Sequence, residues 1–267
     1  MERIAVCGRG GVGKSVVAVG LSLCLGRRGR RVLHVGCDLK RGSCSGLVDR
    51  GTGVASVLDA FVHGRRGTVE LTRGRHGVEC CETGGPEPGV GCAGRGVARA
   101  LDALGEGGHF DEGRRDAVIF DGVGGLACQG FEAPLRAGFT DKVVVVTSEE
   151  PGSLFAANAI CRAVLRRGPS GAHLAGVVGN LREGGRGADR VQVFAALVNA
   201  KLLAVLEPAD VVIEAERRGV SVVEHAPRCA TTAALEGLAD ELTTVPVDDI
   251  GPPEPMSDEE VLRLVRS

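Results

Sequence analysis

The chain has 267 residues, including 42 Gly and 11 Pro, with 32 basic against 34 acidic side chains. The glycines show no three-residue period, which excludes a collagen-like fibre, and the net charge of -2 gives no general reason to expect nucleic acid or an anionic membrane as a partner. The sequence has no run of about 18 apolar residues and no signal-peptide pattern before its first apolar segment. We therefore expect a folded, cytoplasmic protein that binds neither nucleic acid nor membrane.

Ten cysteines are present, whereas Trp and Tyr are absent and Phe occurs only seven times. Val, Leu and Ala must therefore fill the core. In an intracellular chain of this size, ten cysteines argue against a disulfide framework and for buried thiols together with a few metal ligands.

Apolar runs and helical patterns alternate along the chain, beginning with a strand at 3–7, a Gly-rich turn, a helix from residue 14 that closes at Gly26, and a strand at 31–35. This order is a βαβ unit, which implies a right-handed crossover and a parallel sheet. Further strands are predicted at 77–81, 117–120, 142–146, 174–178 and 202–206. Helices are predicted at 94–104, 153–166, 188–199 and 231–242. The pattern indicates an α/β fold with a doubly wound, mostly parallel sheet and helices on both faces.

The chain divides into one large domain at 1–242 and a tail at 243–267. Residues 243–256 contain four Pro and two Asp, which predicts an extended segment. Ser257 and Glu260 then form a capping box for a last short helix.

The strongest chemical signal is a P-loop pattern between the first predicted strand and helix. Its residues are Gly8, Arg9, Gly10, Gly11, Val12, Gly13, Lys14 and Ser15. The glycines let successive N–H groups point at phosphate oxygens, Lys14 reaches the outer phosphates, and the Ser15 hydroxyl ligates Mg. A nucleoside triphosphate with Mg is the expected ligand.

Two carboxylates follow predicted strands at the edge of the sheet where ligands bind in such folds. Asp121 ends an apolar strand and suits a carboxylate that holds Mg beside the P-loop, although Asp-Gly also describes a simple turn. Asp38 follows the second strand, with a turn or cap residue as the alternative. Only four of the 32 basic residues are lysines, and Lys14 and Lys40 both lie in segments predicted to contact phosphate.

Four segments carry a family resemblance. Residues 82–96, ETGGPEPGVGCAGRG, closely resemble the segment around the first cluster cysteine of nitrogenase iron proteins, and residues 121–131, DGVGGLACQGF, resemble the second part of that signature. Residues 35–40 and 156–158 are also similar. The resemblance spans nearly the whole chain. Iron-sulfur ATPase components of dark protochlorophyllide, chlorophyllide and nickel-tetrapyrrole reductases share much of it, so it identifies the family better than the substrate.

The resemblance implies a homodimer with one 4Fe-4S cluster held between the subunits by Cys92 and Cys128 of each. The absence of any Cys-x-x-Cys agrees with two ligands per chain completed by a twofold axis. Taken alone, either cysteine would be read as a buried apolar thiol. Arg95 would lie on the face that docks a partner, with an ordinary solvated Arg as the alternative.

The implied activity is ATP-gated electron transfer with MgATP as cofactor, to a larger reductase component, with ferredoxin or flavodoxin as the donor. Lys14, Arg9, Asp38 and Asp121 would respond to nucleotide, Lys40 would lie among them, and Asn180 and Asp210 would lie near the base. A strand-end polar residue and a helix cap are the alternatives for the last two.

Three departures from the family pattern affect the parts that respond to nucleotide. Arg9 stands where the family has a second Lys, and Gly42 and Gly125 stand where it has Asp. The alternative function is therefore a nucleotide-binding iron-sulfur protein with weak ATP hydrolysis that acts in regulation or metal-cofactor assembly. A positioning or partitioning ATPase without a cluster is a third interpretation, which the two cysteine segments disfavour.

Overall fold

A computed structural model describes residues 1–37, 42–62, 69–85, 93–122, 133–136, 138–168 and 171–266. Within these residues, eight strands form one sheet in the order β3-β4-β2-β5-β1-β6-β7-β8. All neighbouring strands are parallel except β3 and β4, which pair antiparallel. The strands are β1 (Glu2–Gly8), β2 (Val32–Gly36), β3 (Thr72–Arg73), β4 (Glu79–Glu82), β5 (Ala117–Asp121), β6 (Lys142–Thr147), β7 (His173–Asn180) and β8 (Leu202–Leu206).

Helices cover both faces of the sheet. The helices of the described chain are α1 (Lys14–Arg27), α2 (Val57–Val62), α3 (Ala93–Glu106), α4 (Pro151–Arg167), α5 (Arg186–Leu197), α6 (Asp210–Arg218), α7 (Val222–His225), α8 (Ala230–Thr244) and α9 (Asp258–Arg266). Apolar residues of α1, α6, α7 and α8 pack on one face, and those of α3, α4, α5 and α9 pack on the other. The predicted doubly wound α/β fold is confirmed.

Every predicted strand and helix that falls in the described chain is present, with shifted ends. The predicted end of α1 at Gly26 is wrong, because the helix continues to Arg27. Gly26 lies inside the helix where a Cβ would approach Val78 Cγ2 to 2.8 Å, so its missing side chain serves packing against the segment before β4. The sequence reading missed four elements, namely α2, β3, α6 and α7, all of nine residues or fewer.

The C-terminal segment packs against the sheet's helical layer. Helix α8 continues to Thr244, and the chain then runs without regular structure, apart from a single turn at Val247–Asp249, to α9. Met256 is buried, and its backbone N–H and C=O both pair with the side-chain amide of Asn158 in α4, at 2.9 and 2.8 Å. The predicted capping box is present, since Ser257 N donates to Glu260 Oε2 and Glu260 N donates to Ser257 Oγ.

Candidate functional site

The P-loop curls between β1 and α1 at the carboxyl edge of the sheet. Gly13 has φ 97°, a left-handed conformation that favours glycine. A Cβ on Gly13 would also collide with the side-chain amide of Asn180, which ends β7. Asn180 Nδ2 donates a 2.8 Å hydrogen bond to the carbonyl of Val12. The structure thus brings Asn180 to the P-loop, where it fixes the loop backbone from the end of β7, two strands away from β1.

Lys14 is 8% exposed, and its Nζ donates a 3.1 Å hydrogen bond to the carbonyl of Arg9 across the loop. Burial raises the pKa of the neighbouring Cys7 thiol to about 12, against the opposing effect of the Lys14 charge. Ser15, the first residue after Lys14, is exposed. The loop therefore holds its ammonium group inside and presents its hydroxyl outward, an arrangement suited to a phosphate chain with a bound cation.

Arg9 is exposed and leans toward the start of α4. A Cβ on Gly152 would lie 3.0 Å from Arg9 Nη1, so the guanidinium packs directly over that residue. The Arg9 side chain is thus held at the surface of the chain, beside its own α4.

A second contact to the P-loop comes from Arg182, which the sequence reading did not single out. Its Nη2 donates to the carbonyl of Gly11. The backbone N–H of Arg182 donates to both carboxylate oxygens of buried Glu149, at 3.0 and 3.1 Å. Glu149 therefore positions the turn that carries Arg182. The sequence signal for Glu149 is the acidic pair Glu149 and Glu150, which follows the apolar strand β6 after Ser148.

Asp121 ends β5 with 1% of its surface exposed. Its Cα is in register with Val6 of β1 and Gly36 of β2, so it lies beside the strand that feeds the P-loop. Ser43 Oγ donates a 2.5 Å hydrogen bond to Asp121 Oδ2. The carboxylate predicted to bind Mg thus lies beside the P-loop at the carboxyl edge of the sheet, here called the phosphate edge. It accepts a hydrogen bond from the Ser43 hydroxyl.

Ser43 continues into a chain of buried polar groups. His34 Nε2 lies 2.9 Å from Ser43 Oγ, and His34 Nδ1 lies 2.9 Å from Ser22 Oγ in α1. Ser22 Oγ also donates a 2.8 Å hydrogen bond to the carbonyl of Ala18. All three side chains are 0 to 3% exposed. The sequence signal for this series of hydrogen-bonded side chains is a single His within the apolar strand Val32–Gly36, which the sequence analysis did not single out.

Glu82 is a further buried carboxylate, at the end of β4, and its Oε1 accepts a 2.9 Å hydrogen bond from the backbone N–H of Cys44. Ser43 and Cys44 begin the short turn Ser43–Gly46. This turn is therefore tied both to β5, through Asp121, and to β4. A cleft of about 240 Å³ opens between Ser15, the same turn and helix α6.

Some of the residues that the sequence analysis singled out lie outside the described residues, namely Asp38, Lys40, Cys92, Gly125 and Cys128. Asp210 is the exposed first residue of α6, where a carboxylate interacts favourably with the helix dipole, and the N-cap is Ala209. Arg95 is exposed in the first turn of α3, which begins directly after Cys92.

The cysteines of the described chain are free thiols, and seven of these eight are buried. Burial raises the pKa of the Cys161 thiol to about 12 and raises that of the Cys81 thiol well above its usual value. Among the described residues, no group of three or more His, Cys, Asp or Glu side chains could hold a metal ion. Cys92 and Cys128, the cluster ligands that the family resemblance implies, lie outside the described residues.

No helix within the described ranges combines the length and apolar character needed to cross a membrane.

Comparison with known proteins gives two kinds of similarity. The chain is 38% identical over 276 residues to a nitrogenase iron protein of Methanospirillum hungatei, covering all of this chain and 96% of that protein. It is 37% identical to nitrogenase iron protein 2 of Methanothermobacter thermautotrophicus, covering 100% and 98%. Among solved structures, the Pyrococcus furiosus cell division ATPase MinD matches with a TM-score of 0.71 at 22% identity, covering 91% of this chain and 99% of that one. That likeness shows the fold.

A family model described as 4Fe-4S iron sulfur cluster binding proteins, NifH/frxC family, matches residues 2–267. The resemblance read from the sequence is confirmed: this chain belongs to the NifH/frxC family of iron-sulfur proteins.

Proposed function

We propose that the chain is the ATP-dependent electron-transfer component of a two-component reductase, and that it works as a homodimer. The family supports a reductase of this general kind, with a 4Fe-4S cluster and MgATP as its cofactors. The observation that carries the proposal to this chain is the edge of the sheet where Lys14 and Ser15 follow β1 and Asp121 ends the adjacent strand β5.

The strand order places the ends of β4 and β5, after which Cys92 and Cys128 follow in the sequence, at the same edge as the P-loop. The chain leaves β4 at Glu82 and leaves β5 at Asp121, and β2 alone separates these two parallel strands. Two strand spacings amount to about 10 Å. The ends of β4 and β5 are therefore about 10 Å apart, at the same edge as the P-loop.

We assign the site residues as follows. The P-loop backbone, Lys14 and Arg9 would bind the phosphates, Ser15 and Asp121 would hold Mg, and Asp38 and Lys40 would lie beside them. Asn180 and Asp210 would flank the base, because Asn180 already contacts the loop. Cys92 and Cys128 of both subunits would hold the cluster, which supplies a one-electron carrier at the dimer interface. Arg95 would face the larger reductase, and ferredoxin or flavodoxin would be the donor.

The ligand assignment follows the family resemblance, and the described cysteines are compatible with it. Seven of them are buried thiols, and the part of the chain that the structure describes offers no three-ligand metal group. An interchain cluster with two ligands from each subunit satisfies the four thiolates that such a cluster needs.

Gly42 favours a second candidate function, in regulation or cofactor assembly with weak ATP hydrolysis. A Cβ at Gly42 would meet no atom within 4 Å, and its φ of -110° suits any residue. An Asp would therefore fit there, so its absence is not enforced by space. Loss of a carboxylate from a segment that responds to nucleotide would spare binding and weaken turnover.

Anaerobic purification followed by iron and sulfide analysis and an ATPase assay tests both candidates. The reductase proposal expects about four Fe per dimer and ATP hydrolysis that rises when a cognate reductase is added. Four Fe with negligible hydrolysis in its presence would favour the second candidate. Absence of iron in the anaerobic protein would overturn both.

A further inference from the structure

The buried side chains Ser22, His34, Ser43 and Asp121, here called the His34 relay, link α1 to the phosphate edge. Their contacts are 2.9, 2.9 and 2.5 Å long, and each member is at most 3% exposed. His34 faces the layer of helices that contains α1. Its neighbours there are apolar: Val32 on its own strand, Cys80 on β4 and Ile119 on β5. A polar group in such a place is costly unless it is fully hydrogen-bonded.

The hydrogens available on each group determine which group donates to Asp121 and which donates to Ser43. As a carboxylate, Asp121 can only accept, and the Ser43 hydroxyl has one hydrogen, so Ser43 donates it to Asp121. Ser43 must then accept from His34, which requires the hydrogen of the imidazole to be on Nε2. In a neutral ring His34 Nδ1 is left as an acceptor, and the single hydrogen of the Ser22 hydroxyl is shared between this nitrogen, 2.9 Å away, and the carbonyl of Ala18, 2.8 Å away.

The relay is consistent with a neutral imidazole. Burial lowers the pKa of His34 to about 3, so the ring is uncharged at neutral pH. A neutral ring has one donor and one acceptor, and its donor is the group that Ser43 requires. The hydrogen bonds from His34 to Ser43 and from Ser43 to Asp121 then point the same way, toward the carboxylate.

We propose that His34 is a positioning residue that acts through Ser43 to hold the Asp121 carboxylate in place for Mg and to tie the turn Ser43–Gly46 to it. This proposal rests on the proposed function, in which Asp121 serves the nucleotide's cation. Ser43 and His34 are fixed to different elements, one to the turn after residues 38–42 and the other to β2. A shift of Asp121 toward the phosphates therefore pulls on the turn and, through His34, on α1.

The first experiment determines which ring nitrogen of His34 carries the hydrogen. Nitrogen-15 labelled histidine in the anaerobically purified, oxidised dimer gives distinct NMR signals for the two tautomers, and the signal lost in the His34→Gln variant assigns His34 among the six histidines. We expect the Nε2–H tautomer at pH 7. A ring with its only hydrogen on Nδ1 would overturn the relay, because Nε2 could then not donate to Ser43.

The second experiment measures the Mg concentration that gives half-maximal ATP binding. Removing a hydrogen bond to a charged group is worth about tenfold in affinity, so His34→Leu and Ser43→Ala should each raise that concentration by about tenfold. His34→Gln, which can restore an N–H donor to Ser43, should return it close to the starting value. His173→Leu is the matched control, since His173 begins β7 at the opposite edge of the sheet.

A double variant separates positioning from mere packing. Because His34 acts through Ser43, the combined His34→Leu and Ser43→Ala chain should be no worse than either single variant. Unchanged Mg dependence in His34→Leu, or additive losses in the double variant, would refute the positioning role. Absence of MgATP binding in the unmodified dimer would defeat the proposed function instead, and the tautomer measurement would still decide whether the relay exists.

Discussion

Lys14 Nζ donates to the main-chain carbonyl of Arg9, 3.1 Å away, and this contact closes the P-loop on itself. The ammonium is 8% exposed, yet its hydrogen-bond acceptor is a neutral carbonyl. A cation held in this way is poorly compensated until an anion arrives, so the loop is prepared for a phosphate.

Lys14→Ala should therefore weaken MgATP binding strongly. Losing a charge-assisted contact costs about 1.5 to 3 kcal/mol, which is roughly 10 to 150-fold in affinity. Isothermal titration calorimetry measures the loss. Lys201→Ala is the control, because Lys201 pairs with Glu241 on the surface at the start of β8, away from the loop. Equal affinities in the Lys14 variant and the unmodified chain would refute the phosphate-binding role.

Cys92→Ala and Cys128→Ala should each abolish the cluster and leave nucleotide binding measurable. Each change removes two of four thiolates from the dimer, whereas the P-loop is a separate element. Iron and sulfide analysis of anaerobic protein gives the result. Cys161→Ala is the matched control, because that thiol is buried in α4 and should leave the iron content unchanged. Full iron occupancy in both single variants would contradict the bridging assignment.

His34 should make the fold sensitive to acid. Its native pKa of about 3 lies below the ordinary value of 6.5. At pH 7 the imidazole is therefore neutral in both the native and the unfolded chain, and its protonation does not lower the free energy of unfolding. Below pH 6.5 the unfolded chain takes up a proton that the native chain refuses until about pH 3, which favours unfolding. The loss should reach about 2 kcal/mol by pH 5.

The check compares Tm for the unmodified dimer and for His34→Gln between pH 7 and pH 5. The difference should move in favour of the Gln variant as the pH falls, because Gln has no proton to gain. A difference that stays constant over this range would show that His34 is accessible to protons in the native chain.

The sequence was sufficient for the parts of this protein that depend on local pattern. Gly13, Lys14 and Ser15 are recognisable because a P-loop is a continuous segment between a strand and a helix. Asp121 could be found for the same reason, since it ends a strand of five buried residues.

The His34 relay and the Arg182 contact could not be found in this way. His34 and Asp121 are far apart in the chain, and only the parallel pairing of β2 with β5 brings them to adjacent strands. Arg182 reaches the P-loop because β7 lies two strands from β1 in the sheet. Such contacts depend on strand order, which residue periodicity does not determine.

Restoring the missing switch carboxylates should separate turnover from binding. Gly125→Asp should raise the ATPase rate more than it changes nucleotide affinity, because positioning a water for attack affects the transition state while ground-state binding rests mainly on the P-loop. Gly42→Asp should help only in combination with it. Steady-state hydrolysis and calorimetric affinity, measured on the same preparations, give the two quantities.

Space at Gly42 makes this a fair test of chemistry. Its Cβ position meets no atom within 4 Å, so an Asp there adds a charge without displacing the Ser43 hydroxyl that engages Asp121. Gly237→Asp is the matched control, since it adds the same charge in open space on α8. If the unmodified dimer already hydrolyses ATP briskly when docked to a reductase, other residues supply the lost carboxylates, and the regulatory or assembly function loses its main support. If the double Asp variant gains affinity but no rate, the missing groups served binding, and the distinction drawn between P-loop and switch is wrong.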